Sequence, residues 1–305
     1  MNKPSEHFVS VIIPVYNDLE RLKICLSALE NQTCARSLYE VIVVNNEPAE
    51  DIESHVPASE HVRVIAEGRR GSYAARNKGI LDAKGDIIAF TDSDCIPLED
   101  WIEKGVEALL SGPDIGLVAG KIRVVVRDPE NPTAMELYEK IAAFPQKHYV
   151  ERQKYGATAN VFTFKKVIEK VGCFDGRLLS SGDFEWGNRV FAAGYRQVFA
   201  ADACVLHPAR RTFRQKLKKK IRIIRGRYEL GVLKFSFKRF ARRLVLPLTR
   251  ARQIIFNNKY GSKLKGKKQK FKLILAFFFE NYVSAFGGLV ITLFGRKNRK
   301  KLEID

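Results

Sequence analysis

The feature that most constrains this chain is its alternation of short apolar runs with segments of helical periodicity. The runs are rich in β-branched residues and predict buried strands. They lie at 8–15, 40–48, 61–67 and 86–94. Segments with apolar residues at helical spacing predict helices at 18–32, where Asp18 is placed to cap the start, 72–85 and 98–112. Strands and helices joined by short connections predict an α/β fold, with a mainly parallel sheet and helices on both faces.

Polar residues follow several of the predicted strands. In parallel sheets ligands bind outside the carboxyl ends of the strands, so these residues are expected to converge on one crevice. They are Tyr16, Asn17, Asn45, Asn46, Glu47 and the aspartates at 92 and 94.

Asp92 and Asp94 end the fourth strand within "AFTDSDC". Two carboxylates at this spacing can hold Mg²⁺, which takes one or two carboxylates and completes its octahedron with substrate phosphates. The alternative is a turn, because Asp and Ser favour turns and helix caps. A calcium EF-hand loop is excluded, because Pro97 stands where that loop needs glycine. These residues alone leave the metal site and the turn both open.

The second half of the chain is less regular. Strands are predicted at 115–126 and 198–208, helical structure at 133–150, and a loop that enters a helix at 181–195. We expect a domain over 1–210, with a first half at 1–112 and a second at 113–210, followed by a separate C-terminal region at 211–305.

Charge divides the chain unevenly. Residues 208–305 contain 29 Lys and Arg against 4 Asp and Glu, a formal charge of +25, and the first 207 residues carry −6 of the total +19. A polybasic region of this kind favours phosphates, of anionic lipid or of nucleic acid. The five cysteines have no CxxC spacing, which indicates neither a disulfide framework nor a zinc site and fits a reducing compartment.

The C-terminal region also has the character of a membrane-associated segment. Residues 213–248 interleave basic with apolar residues, as interfacial helices do. Residues 273–295 are long enough to cross a bilayer, but Glu280 and Asn281 interrupt them and positive charge flanks both ends. We therefore expect peripheral or monotopic attachment to an anionic membrane surface in preference to a single span. A helical pair folded back on the body is the other possibility.

Five motifs in order carry a resemblance to a known family. They are "VSVIIPVYN", "VIVVNN", "GSYAARNKGI", "GDIIAFTDSDC" and "GDFEWGNRVFAAGY". Over about residues 8–210 the sequence resembles the family 2 glycosyltransferases, which have the GT-A fold, a Rossmann-like three-layer arrangement around a mixed, mainly parallel sheet. The resemblance implies an inverting enzyme that uses a nucleotide-sugar donor and Mg²⁺ or Mn²⁺.

The same resemblance assigns the donor site. Asp94 would bind the metal at the two phosphates, and Asp92, beside Ser93, would face the ribose or the sugar. The remaining donor residues are Pro14 and Tyr16 at the nucleoside, Asn45 and Asn46 at the base, Gly71, whose lack of a side chain lets the backbone approach the donor, and Arg76 and Asn77. Many members have aspartate where this chain has Asn45–Asn46, so the preference for uridine is open.

The acceptor side is assigned in the same way. Asp183 matches the second residue of the family's Glu-Asp signature and would be the general base that deprotonates the acceptor hydroxyl. Gly182 replaces the glutamate of that signature, and Glu185 is the alternative base. Asp183 as a simple helix cap is the other interpretation. Asn160 and Trp186 are expected at the acceptor, and His207 is expected either as a structural residue or as a third metal ligand.

Together these features predict a glycosyltransferase that acts on a glycan or lipid-linked acceptor at the cytoplasmic face of the cell membrane. "MNKPSEHF" has no secretory signal, which agrees with a cytoplasmic body.

Three other functions compete with this one. A nicotinamide-dependent oxidoreductase would need G-x-G-x-x-G after the first strand, and "VIIPVYND" has no glycine. A nucleic-acid-binding protein would use the basic region, which lacks zinc-finger, RRM and KH signatures. A non-catalytic scaffold is the third, and Asp92, Asp94 and Asp183 occurring together argue against it.

Overall fold

The structure is a computed structural model, and it divides the chain into two compact units. The residues that it describes are 7–47, 49, 51–56, 59–233, 236–255, 260 and 264–298, with side chains up to 293. The first unit, here called the sheet unit, comprises Met1–Arg123 and Phe144–Pro208. The second, here called the helical unit, comprises Val124–Ala143 and Ala209–Asp305. The last basic residues of the chain, from 299 onward, lie outside the described residues.

One sheet runs through the described part of the chain, with its eight strands in the order β3-β2-β1-β4-β7-β6-β8-β5. The strands are β1 Val9–Val15, β2 Tyr39–Asn45, β3 Val62–Ala66, β4 Ile87–Thr91, β5 Ile96–Pro97, β6 Ile115–Val125, β7 Asn160–Phe164 and β8 Arg196–Pro208. The pairs β1–β2, β1–β4 and β2–β3 are parallel. The pairs β4–β7, β6–β7 and β5–β8 are antiparallel. The predicted mixed sheet is confirmed, and its parallel part is formed by the first four of these strands in the sheet order.

The parallel strands are mostly apolar because both faces of the sheet are covered, as is usual for parallel sheets. β2 and β4 are buried at every position, and β1 at all positions except Pro14. The helices of the sheet unit are α1 Leu19–Glu30, α2 Ser72–Asp82, α3 Trp101–Leu110, α5 Gln146–His148, α6 Lys165–Val171 and α7 Gly182–Ala192. In α1, Leu22, Cys25, Leu26 and Leu29 are buried, which is the helical spacing that the sequence predicted. Asp18 precedes α1 but does not cap it, because its carboxylate accepts from Arg21 at 2.7 Å.

The helix predicted over 133–150 is not continuous. The first helix in this range, α4, covers Ala134–Ala142, and Phe144 has a φ of 49°, in the left-handed region. Pro145 follows, and proline disfavours the helical conformation at the preceding residue. The chain then resumes as the single turn α5 and a π-helical turn at Tyr149–Gln153.

The helical unit consists of α4 Ala134–Ala142, α8 Phe213–Glu229, α9 Phe237–Ile255 and α10 Gly266–Asn298. Capping boxes begin α4 at Thr133 and α8 at Thr212. Helix α10 contacts the other three helices. The apolar core of the unit contains Leu137, Ile254, Leu264, Leu273 and Phe277.

Three glutamates are buried in the helical unit beside basic side chains, Glu136, Glu139 and Glu280, and the last two share one lysine. Glu139 of α4 is 0% exposed, and its Oε1 lies 3.0 Å from Lys216 Nζ and 3.4 Å from Arg210 Nη1. Glu280 of α10 is 2% exposed and lies 3.2 Å from Lys216 and 2.8 Å from Lys220 of α8. The charge that interrupts the apolar stretch 273–295 is therefore neutralised by another helix of the same unit.

One helix of the described chain, α10 over Gly266–Leu293, is long and apolar enough to cross a membrane by length and composition. Only 28% of its most apolar window is buried. Its exposed apolar side chains recur at helical spacing and are Phe271, Leu275, Tyr282, Phe286, Val290 and Leu293. The apolar stripe that α10 exposes to its surroundings is thus separate from the face that carries Glu280.

Candidate functional site

The carboxyl ends of β1, β2 and β4 bring the predicted polar residues to one edge of the sheet. Val15 pairs with Asn45, and Val11 with Ala89, so the three strands end side by side in parallel register. Tyr16, directly after β1, is 50% exposed, while Pro14 is partly buried within the strand. Ser93, between the two aspartates, is buried. This edge therefore has the geometry that open α/β sheets use for ligands.

Asp92 is paired with an arginine from α2. Arg76 Nη2 donates to Asp92 Oδ1, and Arg76 is only 3% exposed. Its Nε has no hydrogen-bond partner within the described part of the chain. A buried guanidinium with a donor still available can bind an anionic ligand as well as hold the aspartate.

Asp94 faces His207 at the end of β8. His207 Nδ1 lies 2.8 Å from the carbonyl oxygen of Pro208, and because a carbonyl only accepts, Nδ1 carries the proton. In the neutral ring Nε2 is then an acceptor, and it lies 3.7 Å from Asp94 Oδ1. A cation placed between these two atoms would be attracted by both of them.

The donor set of this pair fits a divalent cation. A carboxylate oxygen suits Mg²⁺ and Mn²⁺, and imidazole is an acceptable partner for a transition metal. No group of three or more His, Cys, Asp or Glu side chains in the described ranges could hold a metal ion by itself. The remaining ligands would come from water or from a substrate, as they do at magnesium sites completed by phosphates.

An arginine side chain also lies close to Asp94. Arg21 Nη1 of α1 lies 3.7 Å from Asp94 Oδ2, and more than half of the Arg21 side chain is exposed. Arg21 is not among the site residues that the sequence predicted. Arg21 lies three residues after Asp18, in the first turn of α1, the helix that follows β1. The sequence could have pointed to it only if β1 and β4 were already known to be neighbours, because Asp94 follows β4.

Asp183 lies in the first turn of α7, which begins at Gly182. Its Oδ1 accepts from the backbone N–H of Phe184 at 2.9 Å and from the Tyr73 hydroxyl at 3.2 Å. Burial raises the pKa of Asp183 above its usual range, although these bonds and the nearby Arg76 oppose the shift. A carboxylate with a raised pKa is a stronger base, which is the property that proton abstraction needs.

Glu185, the alternative base, is held in an ion pair. Its two carboxylate oxygens accept from Arg189 at 2.6 and 3.0 Å. Arg189 also donates to the backbone carbonyls of Val171, Gly172 and Cys173. In this geometry Glu185 orients Arg189, which fixes the end of α6 and the turn after it.

The side chain of Asn46 makes hydrogen bonds to the backbone of the loop that precedes α2. Its Nδ2 donates to the carbonyls of Glu67 and Arg69 at 2.8 Å, and its Oδ1 accepts from Gly71 N at 2.8 Å. Asn45 Oδ1 accepts from Glu47 N at 2.9 Å. Asn46 therefore shapes the loop that leads into α2, and Gly71 adopts a φ of 126° there, which glycine tolerates and other residues rarely do.

Three other predicted site residues are bound into the interior. Asn77 exchanges two hydrogen bonds with the backbone of Phe174, at 2.8 and 3.0 Å. Asn160 accepts from Trp101 Nε1 and donates to two backbone carbonyls, and it is fully buried. Trp186 is also buried and donates to the carbonyl of Gly172. Each of these contacts stabilises the sheet unit, and contact of Asn160 and Trp186 with an acceptor stays a prediction.

Comparison with known proteins identifies the class. Residues 10–172 match the family model described as Glycosyl transferase family 2. The chain is 38% identical over 231 residues to the glycosyltransferase AglE of Haloferax volcanii, an alignment that covers 74% of this chain and 75% of AglE. The chain therefore belongs to glycosyltransferase family 2 and is a transferase enzyme.

Other relatives match over less of their length. The putative glycosyltransferase EpsH of Bacillus subtilis is 33% identical over 47% of this chain and 42% of EpsH. The pre-mycofactocin glycosyltransferase of Mycobacterium tuberculosis is 29% identical over 71% of this chain and 46% of that protein. The chain thus spans less than half the length of these two relatives.

A solved structure supports the fold. The mannosyltransferase PcManGT from Pyrobaculum calidifontis, determined with GDP-Man and Mn²⁺, matches with a TM-score of 0.53 at 17% identity. The match covers 95% of this chain and 75% of that one. The predicted GT-A fold is confirmed.

Proposed function

We propose that this glycosyltransferase moves a sugar from a nucleotide-diphosphate donor to a glycan or lipid-linked acceptor with inversion at the anomeric carbon. The observation that carries the proposal is the approach of Asp94 Oδ1 to His207 Nε2, at 3.7 Å, beside the pair of Asp92 and Arg76. Such a pair is compatible with a cation that a diphosphate shares. Mn²⁺ and GDP-Man bound to PcManGT, a protein of the same fold, support this choice of ligands.

In this proposal the residues have separate tasks. Asp94 and His207 would hold Mg²⁺ or Mn²⁺, which when bound neutralises charge on the departing diphosphate. Arg76 orients Asp92 toward the donor. Asp183 takes the proton from the acceptor hydroxyl as its oxygen bonds to the anomeric carbon and the bond from that carbon to the diphosphate oxygen breaks. A single displacement of this kind converts an α-linked donor into a β-linked product.

The test is a screen for metal-dependent donor binding and turnover. Full-length protein in lipid would be assayed with UDP-, GDP- and dTDP-sugars, each with Mn²⁺, Mg²⁺ or chelator, next to Asp94→Ala. The matched control is Asp202→Ala, which removes an exposed aspartate of β8. Metal-dependent binding or turnover that Asp94→Ala abolishes and Asp202→Ala preserves supports the proposal and names the nucleotide.

No metal-dependent signal with any donor from well-folded protein would overturn it. That outcome would favour the scaffold, or the nucleic-acid-binding function if the protein binds duplex DNA in a salt-sensitive way without lipid.

We also propose that the helical unit attaches the enzyme to the cytoplasmic face of a membrane, as a peripheral or monotopic protein. The exposed apolar stripe of α10 supports this proposal. The lysine-rich first turn of the same helix supports it too, because each basic residue near an anionic surface adds roughly 1 kcal/mol to the free energy of binding. The internal pairing of Glu280 with α8 argues for a helix that keeps one face on protein.

Vesicle flotation tests the attachment. We expect binding to vesicles that contain phosphatidylglycerol, weakened by Phe286→Ser with Val290→Ser and unaffected by Leu81→Ser, which alters an exposed leucine of α2. Extraction from membranes by alkaline carbonate distinguishes peripheral attachment from deeper insertion. Equal binding by all variants would contradict a role for the stripe.

A further inference from the structure

Tyr73 connects the helix that carries Arg76 to the helix that carries Asp183. It lies in the first turn of α2 and is only 6% exposed. Its hydroxyl donates to Asp183 Oδ1 at 3.2 Å, and the guanidinium of Arg76 lies 5.7 Å from the centre of its ring. A single buried tyrosine thus contacts the proposed base and the arginine that pairs with Asp92.

Gly182 provides the space that this ring occupies. A Cβ added at Gly182 would lie 2.8 Å from Tyr73 Cδ2 and Cε2 and 2.9 Å from Cζ, which is closer than side chains pack. The family's signature has a glutamate at this position, and this chain does not. The structure explains why this chain has glycine in place of that glutamate, because the Tyr73 ring fills the volume where the glutamate side chain would begin.

We infer that Tyr73 is a positioning residue that holds the carboxylate of Asp183 in place for proton abstraction, and that Gly182 is required to admit its ring. The inference rests on the proposed function, in which Asp183 is the base. The ring is itself fixed, since it packs on Phe174 with ring centres 5.5 Å apart, and Phe174 packs on Trp186 at 5.1 Å. A hydroxyl on a fixed ring restricts the rotation of the carboxylate that it contacts.

The hydrogen bond from Tyr73 should have a measurable effect on the pKa of Asp183. The groups that face the carboxylate are Tyr73 and Arg76 from α2, Asp92 after β4, and the backbone N–H of Phe184. Burial raises the pKa of Asp183, and the bond from Tyr73 opposes that rise. Burial also raises the pKa of Tyr73 well above its usual range, so its hydroxyl remains a donor at working pH.

The first test measures the titration of Asp183 directly. The carboxyl carbon would be followed by ¹³C NMR in protein labelled at aspartate, with the signal assigned by its loss in Asp183→Asn. Tyr73→Phe should move the midpoint up by about one pH unit, because a donor to the charged form is removed. Gly182→Ala should move it the same way by displacing the ring, and should add nothing in the Tyr73→Phe background.

The matched control is Tyr39→Phe. Tyr39 is also buried and donates its hydroxyl to a protein acceptor, the carbonyl of Leu29 at 2.8 Å, and it makes neither of the hydrogen bonds to Asp183. This variant should leave the Asp183 midpoint unchanged. Thermal unfolding of all variants identifies any that fail to fold, and the titration is compared among the folded ones.

The second test uses the donor that the screen identifies. Tyr73→Phe should lower kcat about tenfold, leave the donor KM within about twofold, and move the acidic limb of the pH profile to higher pH. An Asp183 midpoint that does not move, or a midpoint that moves without any change in kcat, would overturn the inference. If the wild-type protein turns over no donor, the proposed function fails, while the titration still decides whether Tyr73 controls Asp183.

Discussion

The two units surround their carboxylates differently: Glu139 and Glu280 of the helical unit are fully buried, whereas Asp94 and Asp183 of the sheet unit are half-buried. In the helical unit, Glu139 and Glu280 share Lys216, and each has a further cation of its own. In the sheet unit, Asp94 lies 3.7 Å from both His207 Nε2 and Arg21 Nη1, which is too long for a hydrogen bond to either. Among the described residues, the direct hydrogen bonds to Asp183 come from neutral donors, a tyrosine hydroxyl and a backbone N–H.

The pKa values of Glu139 and Asp183 move in opposite directions. Burial opposes the ionisation of Glu139, but Lys216, Arg210 and Lys219 outweigh it and lower its pKa to about 2. Burial dominates at Asp183 and raises its pKa. A buried carboxylate with full compensation is inert and structural, whereas one with incomplete compensation retains affinity for a proton or a cation.

Asp183→Asn should cause the largest effect that this comparison predicts. The amide cannot accept the acceptor's proton, so kcat should fall about 10²–10⁴-fold while donor binding is unchanged. Steady-state turnover and titration calorimetry with the active donor would measure the two quantities. Asp202→Asn is the control, and a loss of less than about tenfold in Asp183→Asn would remove Asp183 as the base.

Glu139→Gln should destabilise the protein without touching the proposed site residues. It leaves Lys216 and Arg210 with one anion fewer in a buried setting, and breaking such a pair typically costs about 3–5 kcal/mol of the free energy of unfolding. Urea denaturation followed by circular dichroism measures the loss. Glu130→Gln, which breaks an exposed pair with Lys265, should change little, and equal midpoints for the two variants would contradict the assignment.

The free energy of unfolding should fall at low pH because the same glutamate, Glu139, becomes protonated. The folded pKa of Glu139 is about 2 against an ordinary value of 4.5, so the folded state favours the ionised form. Its contribution is complete above pH 4.5 and is lost as the pH falls toward 2, for a total of about 3 kcal/mol. Denaturation midpoints across this window should fall less steeply in Glu139→Gln than in the wild type, and parallel curves would contradict the role.

Glu185→Gln should have the smallest effect. The residue orients Arg189 and is not expected to move a proton, so kcat should change by less than about tenfold and stability by about 1 kcal/mol. Turnover and urea denaturation measure the two. A loss of kcat as large as that in Asp183→Asn would transfer the role of base to Glu185.

The strands and most helices could be predicted from the sequence because their signals are local. The apolar runs that became β1, β2 and β4 end in polar residues, so the strands and the ligand edge are both encoded in short segments. The pairing of Arg76 with Asp92 has no such local signal, because sixteen residues separate the two. Only the family resemblance assigned both residues to the donor site, and their contact with each other was not among the predictions.

What could not be predicted depends on contacts between distant segments. The hydrogen bonds of Asn160 with Trp101 and of Trp186 with Gly172 join segments that are far apart in sequence or that meet only after folding. The partners of Glu280 lie more than fifty residues earlier in the chain, and Tyr73 reaches Asp183 across 110 residues. Periodicity carries no information about such pairs.

The helical unit is discontinuous along the chain, and this has a consequence for the order in which the protein can form. Helix α4 is synthesised before β7 and β8, but Lys216, Lys219 and α10, against which it packs, come last. Because chains emerge from the ribosome N-terminus first, the sheet unit can be completed while α4 is still without most of its cations. A chain cut after residue 210 would keep Glu139 and Arg210 but lose Lys216 and Lys219. Shortening the protein to its predicted catalytic domain would therefore leave α4 in place but remove most of the positive charge that neutralises its buried glutamate.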